Sequence, residues 1–305
     1  MKRMKRTAPL FSLLIGLGLF AATFHSRAAD WQRTEDVIYG RKHGVALTMD
    51  VFRPAATNGF GVIFMVSGGF FSSKEAINPA FFRVFLDRGY VVFAVVHGSQ
   101  PKYTIPEITE DVHRAVRFIR YHAAQYGVRP DKLGVFGASA GGHLSLTLGT
   151  QGGPGKADAR DPVDRESSAV AAVACFFPPT DVLNYGAPGE DAVGVGILKD
   201  FKPAFGPRSD TPEGRQQLGR EISPVNFITA KTAPTLIIHG DADRLVPIQQ
   251  AHLFIEKAAA AGVPTKLIVR EGKAHGWPNI LDDLPLLADW FDEHLRGLKP
   301  ATPAP

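Results

Sequence analysis

The chain has 305 residues, of which 45% are hydrophobic, 21% charged and 10% aromatic. This balance provides enough apolar mass for a large globular domain, and it excludes a disordered, fibrous or multi-spanning chain. The net charge is +4, but residues 1–28 carry five positive charges and no acids, so the remainder is close to −1. A basic excess confined to the N-terminus gives no indication of nucleic-acid binding.

The N-terminus has the pattern of a secretory signal. The basic segment MKRMKR precedes the apolar run APLFSLLIGLGLFAATF, which is followed by HSRAAD. Ser26 and Ala28 provide small side chains at positions −3 and −1 and favour cleavage between Ala28 and Ala29. The apolar run is shorter than the roughly 20 residues of a membrane span. We therefore predict a secreted or periplasmic protein, with residues 1–28 as its signal peptide and no stable membrane span after cleavage.

The remaining chain alternates between strand and helix patterns. Strands are predicted at 36–40, 45–54, 61–69, 90–98, 132–139, 168–177, 233–241 and 264–272. Helices are predicted at 78–89, 105–127, 140–150, 247–262 and 284–297. The first two strands alternate at period two, whereas the later ones are continuous apolar runs, as in buried parallel strands. This order predicts an α/β fold, an open and mostly parallel sheet with helices on both faces.

The pattern indicates one domain over residues 29–298, without internal repeats. Residues 178–232 interrupt the alternation with short apolar fragments among Pro, Gly and Asp, and we interpret them as a small cap-like insertion over one face. Residues 299–305 are predicted to be a disordered tail. The lone cysteine, Cys175, lies in an apolar run and is predicted to be a buried hydrophobe.

Ligands of open α/β sheets bind at the carboxyl ends of the strands, so the residues that follow each strand are the candidates for a site. Residues 137–141 read G-A-S-A-G between a predicted strand and a predicted helix. This is the Gly-x-Ser-x-Gly nucleophile elbow, in which a sharp turn raises the serine hydroxyl toward the substrate. The small residues around Ser139 are expected because the strand and the helix nearly collide there.

Two further strand ends carry groups that could activate this serine. Asp241 and Asp243 follow one strand, and His275 lies in the loop EGKAHGWP after the next. A serine hydroxyl needs a base to remove its proton, and a buried aspartate holds that base in the correct tautomer. One aspartate could orient His275 while the other caps the turn. His143 and His239 are interpreted as structural.

The motifs GASAGG and HGDADRLVP, with the late histidine, resemble the α/β-hydrolase superfamily. Within it they resemble the esterase and lipase group, which includes hormone-sensitive-lipase-like and acetylxylan- or feruloyl-esterase-like enzymes. The resemblance extends from LTMDVFRP to the last helix. It implies an α/β-hydrolase fold with a mostly parallel eight-stranded sheet, and a catalytic triad of Ser139, Asp243 and His275. Asp243 matches because the family pattern H-G-x-x-D-x-x-V-P places the acid there, which leaves Asp241 a structural role.

The resemblance also implies an oxyanion hole after the third strand. Relatives often have H-G-G-G there, whereas this chain has SGGF. Backbone N–H groups are the donors, so side-chain identity need not matter if the turn keeps its geometry. We expect the donors to be Gly69 and Ala140, with Phe70 as a further candidate. Phe70 and Phe71 could instead form the wall of the acyl pocket, and His97 could line the pocket or be structural.

These features predict a serine hydrolase that cleaves carboxylic esters through an acyl-enzyme. The resemblance implies small-molecule or carbohydrate substrates, including acetyl or feruloyl esters, and no metal or organic cofactor. The sequence has no HExxH motif, cysteine cluster or P-loop. One alternative is a prolyl-oligopeptidase-like serine peptidase, although the roughly 100 residues before the elbow leave no room for a propeller domain. The other is a non-catalytic binding protein on the same scaffold, which would typically have lost a triad residue.

Overall fold

Residues 30–299 are described by the computed structural model. The predicted signal peptide with its cleavage site, and the predicted tail beyond residue 299, lie outside the described residues. The strands are β1 Trp31–Lys42, β2 Val45–Pro54, β3 Gly61–Val66, β4 Val91–Val96, β5 Leu133–Ala138, β6 Ala172–Phe176, β7 Thr235–Gly240 and β8 Thr265–Arg270. They form one eight-stranded sheet in the order β1-β2-β4-β3-β5-β6-β7-β8.

The sheet is mostly parallel, as predicted. β2 runs antiparallel to β1 and to β4, and every other neighbouring pair of strands is parallel. The side chains of β3 are buried throughout, because helices cover both faces of the sheet. The carboxyl ends of the parallel strands therefore meet at one edge, where the candidate side chains emerge.

The helices are α1 Arg83–Asp87, α2 Ile105–Tyr121, α3 Ala123–Tyr126, α4 Ala140–Gln151, α5 Lys202–Phe205, α6 Pro212–Ile222, α7 Gln249–Ala260 and α8 Leu284–Arg296. One apolar cluster joins α2, α4 and α7 to one set of alternate strand residues, and a second joins α1 and α8 to the other set. Because alternate residues of a strand point to opposite faces, the two clusters lie on opposite sides of the sheet.

Several predicted elements have different bounds in the structure: β6, for example, begins at Ala172 instead of residue 168, and β3 ends at Val66 instead of residue 69. β1 begins at Trp31 instead of residue 36, because its first residues pair with β2 while most of their polar side chains remain exposed. The single helix predicted at 105–127 is divided at His122 into α2 and α3. The helix predicted at 78–89 is a 3₁₀ turn, Pro79–Phe81, followed by the short α1, since the backbone of Phe82 leaves the helical conformation (φ −137°, ψ 9°).

The segment 178–232 packs directly on the main core. It contains α5, α6 and the 3₁₀ turns Gly196–Phe201, Pro207–Asp210 and Pro224–Phe227. Its side chains Leu198, Phe205 and Leu218 belong to the same apolar cluster as α4 and α7. Within residues 30–299, each helix is too short or too polar to cross a membrane.

Candidate active site

Ser139 lies in the turn between β5 and α4. Its backbone has φ 55° and ψ −119°, a conformation that residues other than glycine rarely adopt. A Cβ atom on Gly137 would lie 2.5 Å from the carbonyl carbon of Gly141, and one on Gly141 would lie 2.8 Å from the carbonyl oxygen of Met65. The Ser139 amide donates to the Phe176 carbonyl at 3.0 Å. Close approach of strand and helix therefore requires glycine on both sides of the serine.

The structure brings Ser139, His275 and Asp243 into one hydrogen-bonded row. The Ser139 hydroxyl lies 2.9 Å from Nε2 of His275, and Nδ1 of His275 lies 2.7 Å from Oδ2 of Asp243. Since a carboxylate only accepts, Nδ1 carries the proton, and the lone pair of Nε2 faces the hydroxyl. The side chain of His275 is 23% exposed and that of Asp243 is 0% exposed. The imidazole is therefore accessible from solvent, while the carboxylate is shielded from water.

The carboxylate of Asp243 is held by a set of donors. Its Oδ1 accepts the amides of Leu245 and Val246, both at 2.9 Å. Nε2 of His239 donates to the Val246 carbonyl at 2.8 Å and lies 3.4 Å from Oδ2 of Asp243. Burial by itself raises the pKa of Asp243, but hydrogen bonds from His239, His275 and the Val246 amide outweigh it and hold the pKa well below its usual range. Asp243 is therefore ionised at neutral pH.

Asp241 has a different environment from Asp243. It is exposed, and its Oδ1 accepts the Gly272 amide at 2.6 Å. A Cβ atom on Gly240 would lie 2.2 Å from the carbonyl oxygen of Lys273, so the loops after β7 and β8 touch at this glycine. Asp241 thus links the loop that carries Asp243 to the loop that carries His275.

The loop of His275 is fixed on its other side by aromatic packing. The indole of Trp277 donates to Asp283 at 2.9 Å, and Asp283 also accepts from Arg270. The ring of Phe177 lies 4.4 Å from the imidazole of His275, measured between ring centroids. Phe177 follows β6 with φ 36°. The sequence analysis did not identify this contact, although the position of Phe177 at a strand end was available as a signal.

Three backbone amides beside Ser139 are available as oxyanion donors. Gly69 and Phe70 are consecutive residues with φ of 55° and 65°, and Ala140 is the first residue of α4. Among the described residues no acceptor pairs with these three amides, whereas the amide of Phe71 donates to Gly68 at 2.9 Å. Gly69, Phe70 and Ala140 line the same cavity as Ser139. Their role as oxyanion donors remains a prediction.

Gln100 holds the loop that carries two of these amides. Its side-chain amide donates to the carbonyl of Gly69, and its backbone N–H donates to the carbonyl of Phe70 at 3.2 Å. The hydroxyl of Ser72 donates to the Val66 carbonyl at 2.5 Å. Gln100 is buried and follows β4, in a segment where the sequence analysis weighed only His97. No motif in the sequence pointed to this glutamine.

We expect Gln100→Glu to lower kcat for p-nitrophenyl acetate by about 100-fold, because a displacement near 1 Å at a reacting centre has that cost. The carboxylate has no donor for the Gly69 carbonyl and repels it, which displaces the loop. KM should change little, since oxyanion donors act mainly in the transition state. The measurement is steady-state kinetics, with the active enzyme counted by covalent titration.

The same change at an exposed position, Gln125→Glu, serves as the control for added charge. An increase in KM with unchanged kcat in Gln100→Glu would contradict a role in positioning the loop. Wild-type kinetics in both variants would contradict it as well.

The cavity beside Ser139 is small, with a volume of about 30 Å³. It is lined by backbone from the elbow and from the loop of Gly69 and Phe70, which we call the oxyanion loop, and by apolar side chains: Gly69, Phe70, Ser139, Ala140, Pro179, Leu198, Phe201, Phe205, Leu245 and Val246. Four of these residues, Pro179, Leu198, Phe201 and Phe205, come from the 178–232 segment. The sequence analysis named none of them.

The two predicted pocket residues, Phe71 and His97, lie outside this cavity. The side chain of Phe71 is 54% exposed. His97 is buried, and its Nδ1–H donates to the Gly98 carbonyl at 2.7 Å. Burial lowers the pKa of His97 to about 4, so it is neutral at pH 7. Phe70, by contrast, lines the cavity in addition to presenting its amide.

His143, on the helix after the elbow, does not contact the serine. Its Nδ1–H donates to the Pro179 carbonyl at 3.1 Å, and its ring meets Phe70 edge-on, with 5.5 Å between centroids. Burial lowers its pKa to about 4. His143 therefore supports the loop of Phe70 as a neutral side chain, in agreement with the structural role expected for it.

A larger groove of about 850 Å³ lies elsewhere and shares no lining residue with the small cavity. Several of its charged side chains pair with one another: Lys42 with Asp111 at 3.1 Å, and Arg114 with Asp161 and Asp164, both at 2.7 Å. Among residues 30–299, no three His, Cys, Asp or Glu side chains are grouped so that they could hold a metal ion.

The arrangement of these groups suits acyl transfer. A hydroxyl next to an imidazole lone pair can lose its proton as it attacks a carbonyl carbon. The ionised carboxylate stabilises the imidazolium that forms. Unpaired amides beside the hydroxyl can donate hydrogen bonds to the carbonyl oxygen and so stabilise the negative charge that develops on it.

Comparison with known proteins shows that the chain is similar to esterases. A model of the BD-FAE family matches residues 49–258, a span that includes Ser139 and Asp243 and ends before His275. The probable carboxylic ester hydrolase LipM of Mycobacterium tuberculosis is 28% identical over 233 residues, which make up 75% of this chain and 52% of that protein. The chain spans about half the length of the curated relatives that it matches.

Two solved structures extend the likeness to the whole fold. A truncated form of a carbohydrate esterase from gut microbiota is 25% identical with a TM-score of 0.72, covering 87% of this chain and 96% of that one. Thermogutta terrifontis esterase 2 phosphonylated by sarin is 27% identical with a TM-score of 0.69, covering 88% of this chain and 96% of that one. These likenesses confirm the α/β-hydrolase fold predicted from the sequence.

Proposed function

We propose that this chain, which belongs to the BD-FAE family in the esterase group of the α/β-hydrolases, is a carboxylic ester hydrolase with Ser139 as its nucleophile. The observation that supports this most directly is the row Ser139–His275–Asp243, with distances of 2.9 and 2.7 Å. The unpaired amides beside the hydroxyl add to it.

In the proposed reaction, Nε2 of His275 takes the proton of the Ser139 hydroxyl as its oxygen attacks the ester carbonyl. Asp243 stabilises the imidazolium, and the amides of Gly69, Phe70 and Ala140 bind the oxyanion. The tetrahedral intermediate collapses as His275 returns the proton to the leaving alcohol, which gives an acyl-enzyme. Water, deprotonated by His275, then hydrolyses the acyl-enzyme and restores the serine.

For the substrate we propose acetyl or feruloyl esters of carbohydrates. A carbohydrate esterase is among the solved structures with the same fold, and the family resemblance of the sequence points to the same class. Fold likeness alone does not determine substrate, so the shape of the site has to distinguish between these two acyl groups.

We also propose that the enzyme is exported. The basic, apolar and small-residue pattern of residues 1–28 supports this, and the maturation step would leave Ala29 as the first residue. Intact-mass spectrometry of protein produced from the full chain in a bacterial host identifies the first residue of the mature protein. A mass equal to that of the chain starting at Met1 would contradict the proposal.

A fluorophosphonate probe tests the nucleophile, since a relative with this fold is phosphonylated by sarin. We expect one probe per chain, located on Ser139 by peptide mass spectrometry, together with hydrolysis of p-nitrophenyl acetate. A folded protein that takes no probe would indicate a binding protein on this scaffold. Labelling combined with cleavage of peptides but not of esters would indicate a peptidase.

A further inference from the structure

The 178–232 segment closes the small cavity beside the proposed nucleophile. Leu198 and Phe201 lie in the 3₁₀ turn Gly196–Phe201, and Phe205 ends α5. The ring of Phe201 rests against the oxyanion loop, because a Cβ atom on Gly69 would lie 2.5 Å from its Cε1. Phe201 therefore leaves no gap between the segment and the loop on that side of the cavity.

The positions of the proton donor and the amides decide which half of an ester enters this cavity. The leaving alcohol must receive a proton from Nε2 of His275, and His275 is not among the residues that line the cavity. The carbonyl oxygen is directed to the amides of Gly69, Phe70 and Ala140, which do line it. The remaining substituent of the carbonyl carbon, the acyl chain, is then the group that points into the cavity.

The size of the cavity limits this acyl chain. Its volume is about 30 Å³, two to three times the roughly 10–15 Å³ of a cavity that holds one water molecule. A methyl or ethyl group fits such a space, whereas the chain of a butyrate or the phenylpropenoyl group of a ferulate does not. Well-packed apolar walls resist the insertion of additional methylenes.

Among the apolar side chains from the segment, Phe201 is the one positioned to set this limit. Leu198 and Phe205 are part of the core, with exposures of 6% and 2%. Phe201 is half-buried and packs against the core from outside. Removing the ring of Phe201 therefore extends the cavity toward solvent, whereas truncating Leu198 or Phe205 would leave a void in the core.

Resting on the proposed function, we infer that Phe201 determines acyl-chain length, so that the enzyme accepts acetyl and propionyl esters and rejects butyryl and feruloyl esters. The alcohol half lies outside the cavity, on the side of His275. The segment thus selects for the acyl group and leaves the alcohol unrestricted by this cavity.

The test is kcat/KM for p-nitrophenyl acetate, propionate, butyrate, hexanoate and ferulate, which share one leaving group. For the wild type we expect a fall of at least about tenfold for each methylene beyond propionate, in line with the discrimination that a methylene provides in apolar pockets. Phe201→Ala should raise the ratio of butyrate to acetate by at least about tenfold. Phe227→Ala, a half-buried phenylalanine in the same segment but outside the cavity, is the matched control and should keep the wild-type ratio.

A flat wild-type profile from acetate to hexanoate would overturn the inference, as would an unchanged ratio in folded Phe201→Ala. If that variant fails to fold by circular dichroism, Phe201→Leu takes its place and the same criterion applies. Ester hydrolysis with fluorophosphonate labelling but without chain-length selection would refute the role of Phe201 alone. Absence of both hydrolysis and labelling would refute the proposed function and this inference together.

Discussion

Replacing Ser139 by alanine is expected to lower kcat for p-nitrophenyl acetate by roughly 10⁵- to 10⁶-fold, the scale on which a serine nucleophile contributes. The hydroxyl is the only group of the row that can bond to the substrate, and His275 has no proton to take once it is gone. Stability should change by only about 1 kcal/mol, the value of one hydrogen bond, because alanine inherits the backbone conformation of the turn (φ 55°).

The measurement is steady-state kinetics combined with thermal unfolding. Ser167→Ala is the control, since it removes another half-buried hydroxyl, in a loop away from the site, which donates to the Gly153 carbonyl and accepts the Ala169 amide, both at 3.1 Å. Adding His275→Ala to Ser139→Ala should cost little further activity, because residues that act as a unit are not additive. Residual hydrolysis within tenfold of the wild type would rule out Ser139 as the nucleophile.

Asp243→Asn is expected to lower kcat by about 10⁴-fold with the fold intact. Oδ1 accepts the amides of Leu245 and Val246, both at 2.9 Å, so the asparagine oxygen keeps that position and its NH₂ group faces His275. Nδ1 must then accept instead of donate, which moves the imidazole proton to Nε2. The base loses the lone pair that receives the Ser139 proton.

The adjacent acid provides the control for this prediction. Asp241→Asn makes the same chemical change two residues away, where the side chain is exposed and its oxygen can still accept the Gly272 amide. We expect near wild-type kinetics. Equal losses in the two variants, or a loss at Asp241 alone, would contradict the assignment of the acid to Asp243.

The hydrogen bonds to the Asp243 carboxylate also determine how the effect of Asp243→Asn depends on pH. Because the pKa of Asp243 is held below its usual range in the folded state, its carboxylate stabilises the fold above the unfolded-state pKa. That contribution is lost only as the pH falls through the lower folded-state value. The difference in activity between wild type and Asp243→Asn should therefore persist from about pH 5 to pH 8, where this carboxylate remains ionised.

Three of the five non-glycine residues with positive φ among residues 30–299 lie at the site. Phe70, Ser139 and Phe177 each have positive φ, and they follow β3, β5 and β6. Such a conformation costs roughly 1–2 kcal/mol for each residue that is not glycine, and it persists only where the surroundings determine it. Here the surroundings are buried hydrogen bonds, such as the one from Gln100 to the Gly69 carbonyl. The reacting groups are thereby positioned before substrate arrives.

Local sequence was sufficient for the sheet and for the central motif. Continuous apolar runs indicated buried parallel strands, and strict alternation indicated the antiparallel β2, because side-chain period reflects which faces are covered. The glycines around Ser139 indicated a tight turn, since no larger residue fits there. The predicted element boundaries were wrong where polar residues pair in a strand, as at the start of β1, and where the backbone of one residue ends a helix, as at Phe82.

The sequence by itself determined the α/β architecture and a serine at a strand-to-helix turn, because both depend on neighbours close in the chain. The residues alone left Asp241 and Asp243 as alternatives for the acid, and the resemblance to the family selected Asp243. The tertiary structure supplies the physical reason, since burial and the contact with His275 arise where two loops meet. It alone placed Gln100 behind the oxyanion loop and Phe201 over the cavity. These side chains contact groups that are distant in sequence, and no local pattern records such a contact.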